Sequence, residues 1–209
     1  KDGEVSAIAP GNATITVKTV DGNYTASCDV TVKAAPEPDE YVFLFTPANA
    51  DGDSSASLSA TTALNKAFSE GYQYISSITA EKVFPARNSL GFGVKYGTSS
   101  AAGNITINLK KPIPATYIVV SAAAYGDTEG QQGFTINGTK VDMAASQNKV
   151  YCDYAVKLDG SDLSTITLTQ SEANKGRIYV QYIRLIKADG PFYGDCTRKL
   201  IAKEDGSYY

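Results

Sequence analysis

The sequence predicts an all-β chain built from two unequal modules, and three observations carry that expectation. Residues 1–33 alternate apolar and polar side chains with period two. A Pro- and acid-rich stretch, Ala34-Ala-Pro-Glu-Pro-Asp-Glu40, follows, and such composition favours an extended, semi-rigid linker. Beyond it, short apolar runs recur at a spacing of about 8–12 residues, punctuated by Gly and Asn, the pattern of a sandwich or barrel.

The first module reads as a hairpin. In Gly11-Asn-Ala-Thr-Ile-Thr-Val-Lys-Thr19, Ala13, Ile15 and Val17 share one face, with Thr14, Thr16 and Lys18 on the other. Asp21-Gly22 is a type I′ hairpin signal. Alternation then resumes, placing Ala26, Cys28, Val30 and Val32 opposite Thr25, Ser27, Asp29 and Thr31. So few strands cannot bury their apolar face unaided, so that face requires a cover.

The strings Gly3-Glu-Val-Ser-Ala-Ile-Ala-Pro-Gly-Asn-Ala-Thr-Ile-Thr-Val17, Asp21-Gly22-Asn-Tyr24 and Cys28-Asp-Val-Thr-Val32 resemble the C-terminal half of a bacterial Ig-like domain of group 2. The resemblance implies a partial Ig-like β-sandwich module, used as a spacer or adhesive unit on bacterial surface and secreted proteins. It carries no catalytic set. It also implies that the next domain or a partner chain completes the sheet. The absence of an initiator Met before Lys1-Asp2-Gly3 reads as a portion of something longer.

In the second module, residues 41–188, strands are expected at 41–45, 74–79, 92–96, 104–109, 117–124, 134–137, 140–143, 151–158, 165–169 and 178–187. Ile105, Ile107 and Leu109 alternate cleanly and should face inward, and Asn137-Gly138 is a second hairpin signal. One helix is expected over 59–70, with Leu64, Ala67 and Phe68 at i, i+3 and i+4 and Gly71 as its stop. The apolar phase of 179–186 changes near Tyr182, which indicates a bulge or burial on both faces. The tail, 189–209, reads either as a docked segment with a short helix over 196–204 or as the start of a further module.

Three strings, Gly91-Phe-Gly-Val-Lys-Tyr-Gly97 with Ala102-Gly-Asn-Ile-Thr-Ile107, Tyr117-Ile-Val-Val-Ser-Ala122 and Arg177-Ile-Tyr-Val-Gln-Tyr-Ile183, resemble the jelly-roll carbohydrate-binding-module-like domains of Bacteroidetes secreted proteins. The resemblance implies a jelly-roll-like β-sandwich, an extracellular or cell-surface location and a polysaccharide or other glycan as partner. No site residue transfers with it, because the sugar-contacting positions of such modules vary.

Composition narrows the chemistry. The 209 residues contain no His, which removes the commonest general base near neutral pH, the His-dependent Ser and Cys nucleophiles and most zinc sites. A net charge of -3 gives no electrostatic reason to expect nucleic acid, and no apolar run approaches the length of a membrane helix. Three cysteines, Cys28, Cys152 and Cys196, allow at most one disulfide. Cys28 and Cys152 lie in strand-like runs and are expected as small buried hydrophobes. Cys196, beside Asp195 and Arg198, is a candidate reactive thiol with no base nearby.

Binding residues are sought among 14 Tyr and 7 Phe, since an aromatic ring stacks on the apolar face of a sugar while a Tyr hydroxyl meets its polar edge. Tyr72, Phe84, Phe92, Tyr96, Tyr125 and Tyr193 occupy loop-like or strand-end positions. The competing reading for each is core filling. Asn49, Asp51 and Asp53 offer alternating side-chain oxygens, as loops that hold calcium do, though without a downstream bidentate Glu they read first as a solvated turn, with calcium the alternative. Of the 22 Asp and Glu, most fall in turns; Asp142 and Asp153 are the exceptions, and chance pairs of carboxylates are too common to argue for a glycosidase. Four N-glycosylation sequons, at Asn12, Asn23, Asn104 and Asn137, arise naturally in Thr-rich strands. The expectation is a non-catalytic glycan-binding module, with a structural or adhesive spacer as the alternative.

Overall fold

The computed structural model describes residues 5–34, 37–88, 91–125, 133–143, 151–170 and 176–189. The chain divides into two compact units, Lys1–Pro38 and Asp39–Tyr209.

The first unit is one antiparallel hairpin of β1 (Gly11–Lys18) and β2 (Thr25–Val32), in register from Gly11↔Val32 to Lys18↔Thr25. Its polar face is laced across the strands, with Thr14 Oγ1 donating to Asp29 Oδ1 at 2.7 Å and the Thr16 and Ser27 hydroxyls 2.8 Å apart. The connection is longer than a two-residue turn. Thr19 N–H donates to the Tyr24 carbonyl at 2.9 Å, closing a four-residue loop with left-handed Gly22 (φ 77°) and Asn23 (φ 56°). On the apolar face only Ile15, Val30 and Val32 are even half-buried. The expectation that Cys28 is buried is corrected: its thiol is exposed and free, because a lone two-stranded sheet has nothing of its own to lay over that face.

The second unit is a two-sheet sandwich in which every strand pair is antiparallel. The larger sheet runs β13 (Cys152–Lys157), β10 (Tyr117–Ala124), β15 (Ile178–Ile186), β8 (Gly91–Tyr96), β7 (Val83–Asn88) and β4 (Gly52–Asp53). β3 (Glu40–Phe45) pairs with the C-terminal half of β15 and carries β5 (Phe68–Glu70) on its far edge. The smaller sheet runs β12 (Thr139–Val141), β11 (Phe134–Ile136), β14 (Leu163–Gln170), β9 (Asn104–Ile113) and β6 (Ile75–Glu81). From β8 to β15 successive strands switch sheets, apart from the β11–β12 hairpin. The result is β8-β15-β10-β13 facing β9-β14-β11-β12, which is jelly-roll order.

Period-two alternation explains the core. Phe43, Ile118, Val120 and Ile183 from the larger sheet meet Ile78, Ile107, Phe134 and Leu168 from the smaller one, all buried. Ile105, Ile107 and Leu109 face inward as the alternation predicts. Asn137 and Gly138, at φ 44° and 80°, form the expected two-residue turn between paired Ile136 and Thr139.

The phase change in the last strand is a bulge. β10 and β15 pair Ser121 with Tyr182 but Ala122 with Val180, leaving Gln181 as the extra residue. Val180 and Ile183 therefore both reach the core, while Gln181 and Tyr182 between them lie outside the core cluster.

Two expectations are corrected. The helix is only α1 (Leu64–Ala67), because Phe68 leaves it to pair with Phe45, the rings 4.7 Å apart, and Ser69 Oγ donates to the Leu44 carbonyl at 3.3 Å. Tertiary strand pairing outweighs the propensity of so short a segment. β7 falls outside the expected strands and carries Pro85. The proline is tolerated because its outer neighbour β4 has only two residues, and the Pro85 carbonyl still accepts Ser54 N–H at 2.7 Å. Cys152 is buried as expected, yet it is disulfide-bonded rather than a free hydrophobe. The helix over 196–204 and Cys196 lie outside the described residues. No helix among those described is long and apolar enough to cross a membrane.

Candidate functional site

Strand register builds an aromatic and cationic patch on the face of the larger sheet that points away from the core. Ala123, Tyr179, Lys95 and Phe84 follow one another across β10, β15, β8 and β7, since Ala123 pairs with Tyr179, Tyr179 with Lys95, and Lys95 with Phe84. Tyr125, two residues past Ala123, keeps the same facing, and its N–H donates to the Arg177 carbonyl at 3.0 Å.

The rings meet. Tyr125 and Tyr179 lie 5.4 Å apart at a tilt of 32°. The Arg177 guanidinium sits 4.0 Å from the Tyr125 ring centre, and Lys95 Nζ lies 5.1 Å from that of Phe84 and 5.6 Å from that of Tyr125. These are cation–π distances. Asp53, at the sheet edge on β4, accepts from Lys95 Nζ at 2.6 Å and fixes the ammonium between the rings. Tyr151, Ala86 and Ala123 pack beside Tyr179. Burial first and the neighbouring Tyr179 second push the Tyr151 phenol far above its usual range, so it stays a neutral hydroxyl.

Next to this patch the same sheet face carries a buried polar network. Asp153 on β13 accepts from Tyr182 Oη at 2.7 Å and from Arg184 Nη2 at 3.0 Å, and Arg184 Nη1 reaches Glu40 Oε1 at 3.1 Å. Ser121 Oγ donates to Gln181 Oε1 at 3.4 Å. Burial, then the hydrogen bond to Asp153, raises the Tyr182 phenol. Asp153 is thus fully engaged in structure. Asp142, also expected in a strand, lies just past the end of β12 and is an exposed partner of Lys140 at 3.1 Å.

The six expected aromatics fare differently. Phe84 and Tyr125 enter the patch. Tyr96 is fully buried in the core, so no ligand reaches it, and burial raises its phenol well above the usual range. Its neighbour Val94 is equally buried, since alternation puts Val94 and Tyr96 on one face of the strand and Lys95 on the other. Phe92, on β8, pairs with Arg87 on β7, but its side chain lies outside the described residues, as does all of Tyr193. Tyr72 stands in a separate groove beside β3. Of the three oxygen donors considered for a cation, Asp53 is committed to Lys95, while Asn49 and Asp51 are exposed. No group of three or more His, Cys, Asp or Glu that could hold a metal occurs among the described residues. The residues that sequence reasoning missed, Tyr179, Lys95 and Arg177, carry only a strand-parity signal. Which strands lie side by side is what unites them.

Comparison with protein-family models, curated proteins and solved structures finds no match for this chain.

Proposed function

We propose that this protein is a non-catalytic, extracellular or cell-surface module that binds glycans on the outer face of its larger sheet. The observation that carries the reading is the convergence of Tyr125, Tyr179 and Phe84 around Lys95 and Arg177. Tyr179 is buried at 7% exposure and backs the patch, leaving the half-buried Phe84 and Tyr125 to stack on the C–H faces of pyranoses, while the adjacent cations and Asp53 give hydrogen bonds to hydroxyl or carboxylate groups. A sheet face is a rigid mount, which limits the ordering cost of binding. The disulfide at Cys152 supports an oxidising location.

The test is a glycan array followed by calorimetry on the best binder, with Tyr125→Ala and Phe84→Ala. Each truncation should weaken binding by about 1 kcal/mol or more, the size of an aromatic stacking contribution. Silence across plant, algal and host polysaccharides, or unchanged affinity in both variants, overturns the reading.

A second reading, a structural or adhesive spacer in which a partner chain completes a group 2 Ig-like sheet, is favoured by the hairpin of the first unit. Among the described residues its strands pair only with each other, and Val17, Val20 and Tyr24 are exposed. This reading expects no small-molecule binding and a partner that lowers Cys28 accessibility.

A further inference from the structure

A second concavity lies beside β3, distinct in lining and charge from the aromatic patch. β5 pairs with β3 only at Leu44 and Phe45, so the stretch of β3 before them has a 3-10 turn, Tyr72–Tyr74, for a neighbour instead of a strand. The gap between that turn and β3 is an open groove of about 410 Å3, lined among others by Glu40, Val42, Glu70, Tyr72, Gln73 and Tyr74. That volume lies within the range of small-ligand sites, roughly 300–1,000 Å3.

The walls are held firmly. Gly71 adopts φ 82°, and a Cβ there would run into the Val42 carbonyl, so the turn lies hard against β3. Tyr74 N–H donates to the Gly71 carbonyl at 3.0 Å, and the Tyr74 ring packs edge-on against Tyr41 at 4.9 Å. Tyr72, by contrast, is 42% exposed. Two carboxylates, Glu40 and Glu70, line the groove, and among the described residues no Lys or Arg does. Glu40 is shared with Arg184 from the adjoining strand; Glu70 is exposed and has no cation partner among the described residues.

An exposed ring beside an unneutralised carboxylate attracts a positive charge twice over, through the ring's quadrupole and through Coulomb attraction. Gln73 and the Tyr hydroxyls add groups that hydrogen-bond to sugar hydroxyls. We propose that this groove is a second ligand site, which takes a protonated amino sugar, with its ammonium at Glu70 and its ring over Tyr72. The glycan reading supplies only the ligand class; the groove shares no residue with the aromatic patch.

The full chain is titrated calorimetrically with a glucosamine hexamer, the N-acetylglucosamine hexamer and hexalysine, at 50 and 500 mM salt. The glucosamine hexamer should bind, more weakly at high salt, with at least about tenfold preference over the acetylated hexamer, the ratio that one charge-assisted contact supplies. Glu70→Gln should weaken binding by about tenfold and Tyr72→Ala by about fivefold, the latter a cation–π contribution at an exposed position. Tyr72→Phe should retain it. Both side chains are exposed, so unchanged thermal midpoints should accompany these losses. Tyr125→Ala should leave this affinity untouched, so failure here and failure of the aromatic patch are read separately. Equal binding of the acetylated hexamer, binding of hexalysine as tight as that of the amino sugar, no binding of the glucosamine hexamer, or indifference to Glu70→Gln and Tyr72→Ala each overturns the proposal.

Discussion

Replacing Asp153 by Asn probes the polar network that the bulged strand holds against β13. The Asp153 side chain is 2% exposed and that of Arg184 13%, so their 3.0 Å ion pair is largely shielded from water. Arg184 also holds Glu40 at 3.1 Å, but the Glu40 side chain is 41% exposed. Breaking a buried pair from one side costs roughly 3–5 kcal/mol, because the remaining charge is left desolvated. Two features lower that figure here. Asn keeps an oxygen for the Tyr182 hydroxyl, which donates at 2.7 Å, and Glu40 still partly balances the guanidinium. Asp153→Asn should therefore cost about 2–3 kcal/mol, a value between a lost charge-assisted hydrogen bond and a lost buried pair. Glu40→Gln should cost under about 1 kcal/mol, as partly exposed pairs do. Urea unfolding under non-reducing conditions measures both, and a cycle with Arg184→Met isolates the coupling. For a unit of this size the Asp153→Asn loss corresponds to a fall of roughly 4–12 °C in Tm. If Glu40→Gln proves as damaging as Asp153→Asn, or the Asp153–Arg184 coupling is below about 0.5 kcal/mol, the reasoning from burial fails.

Two further outcomes follow from the second unit. Asn137 Oδ1 accepts Thr167 N–H at 2.7 Å and its Nδ2 donates to the Thr165 carbonyl at 3.0 Å, while its own φ is 44°. Asn137→Ala should then cost about 2–3 kcal/mol in urea unfolding, two hydrogen bonds to backbone plus left-handed strain; a loss under about 0.5 kcal/mol contradicts this. Burial holds the Tyr154 phenol up to about 12, and burial with the Asp153 hydrogen bond raises Tyr182. Both stay protonated in the fold at a pH where the unfolded chain has begun to release those protons. Stability should accordingly be complete below pH 10 and fall as pH rises toward 12, with Tyr154→Phe flattening the decline. A urea midpoint unchanged from pH 9 to 11.5 would refute it.

Much of the architecture was legible because strand parity is a local property. Alternation in 104–109 reflects which residues share a face whatever the neighbours are, and Asn137-Gly138 encodes its turn through the φ values those residues tolerate. The broken phase near Tyr182 was equally readable, since no regular strand places Val180 and Ile183 on one side. The helix over 59–70 misled for the opposite reason. Its signal was local, and the pairing of Phe68 with Phe45 that overrides it joins residues 23 positions apart. Cys28 misled because alternation says which face is apolar and nothing about whether that face is covered.

The sequence by itself determined the strand content, the inward residues of most strands and the absence of histidine. Tertiary structure alone decided the sites. Phe84, Lys95, Tyr125, Arg177 and Tyr179 come from three separate stretches of chain, and only the order β10-β15-β8-β7 sets them in one row. The physical reason is that a strand's own residues fix its facing, whereas its neighbours are chosen by hydrogen-bond partners and core packing far away in sequence.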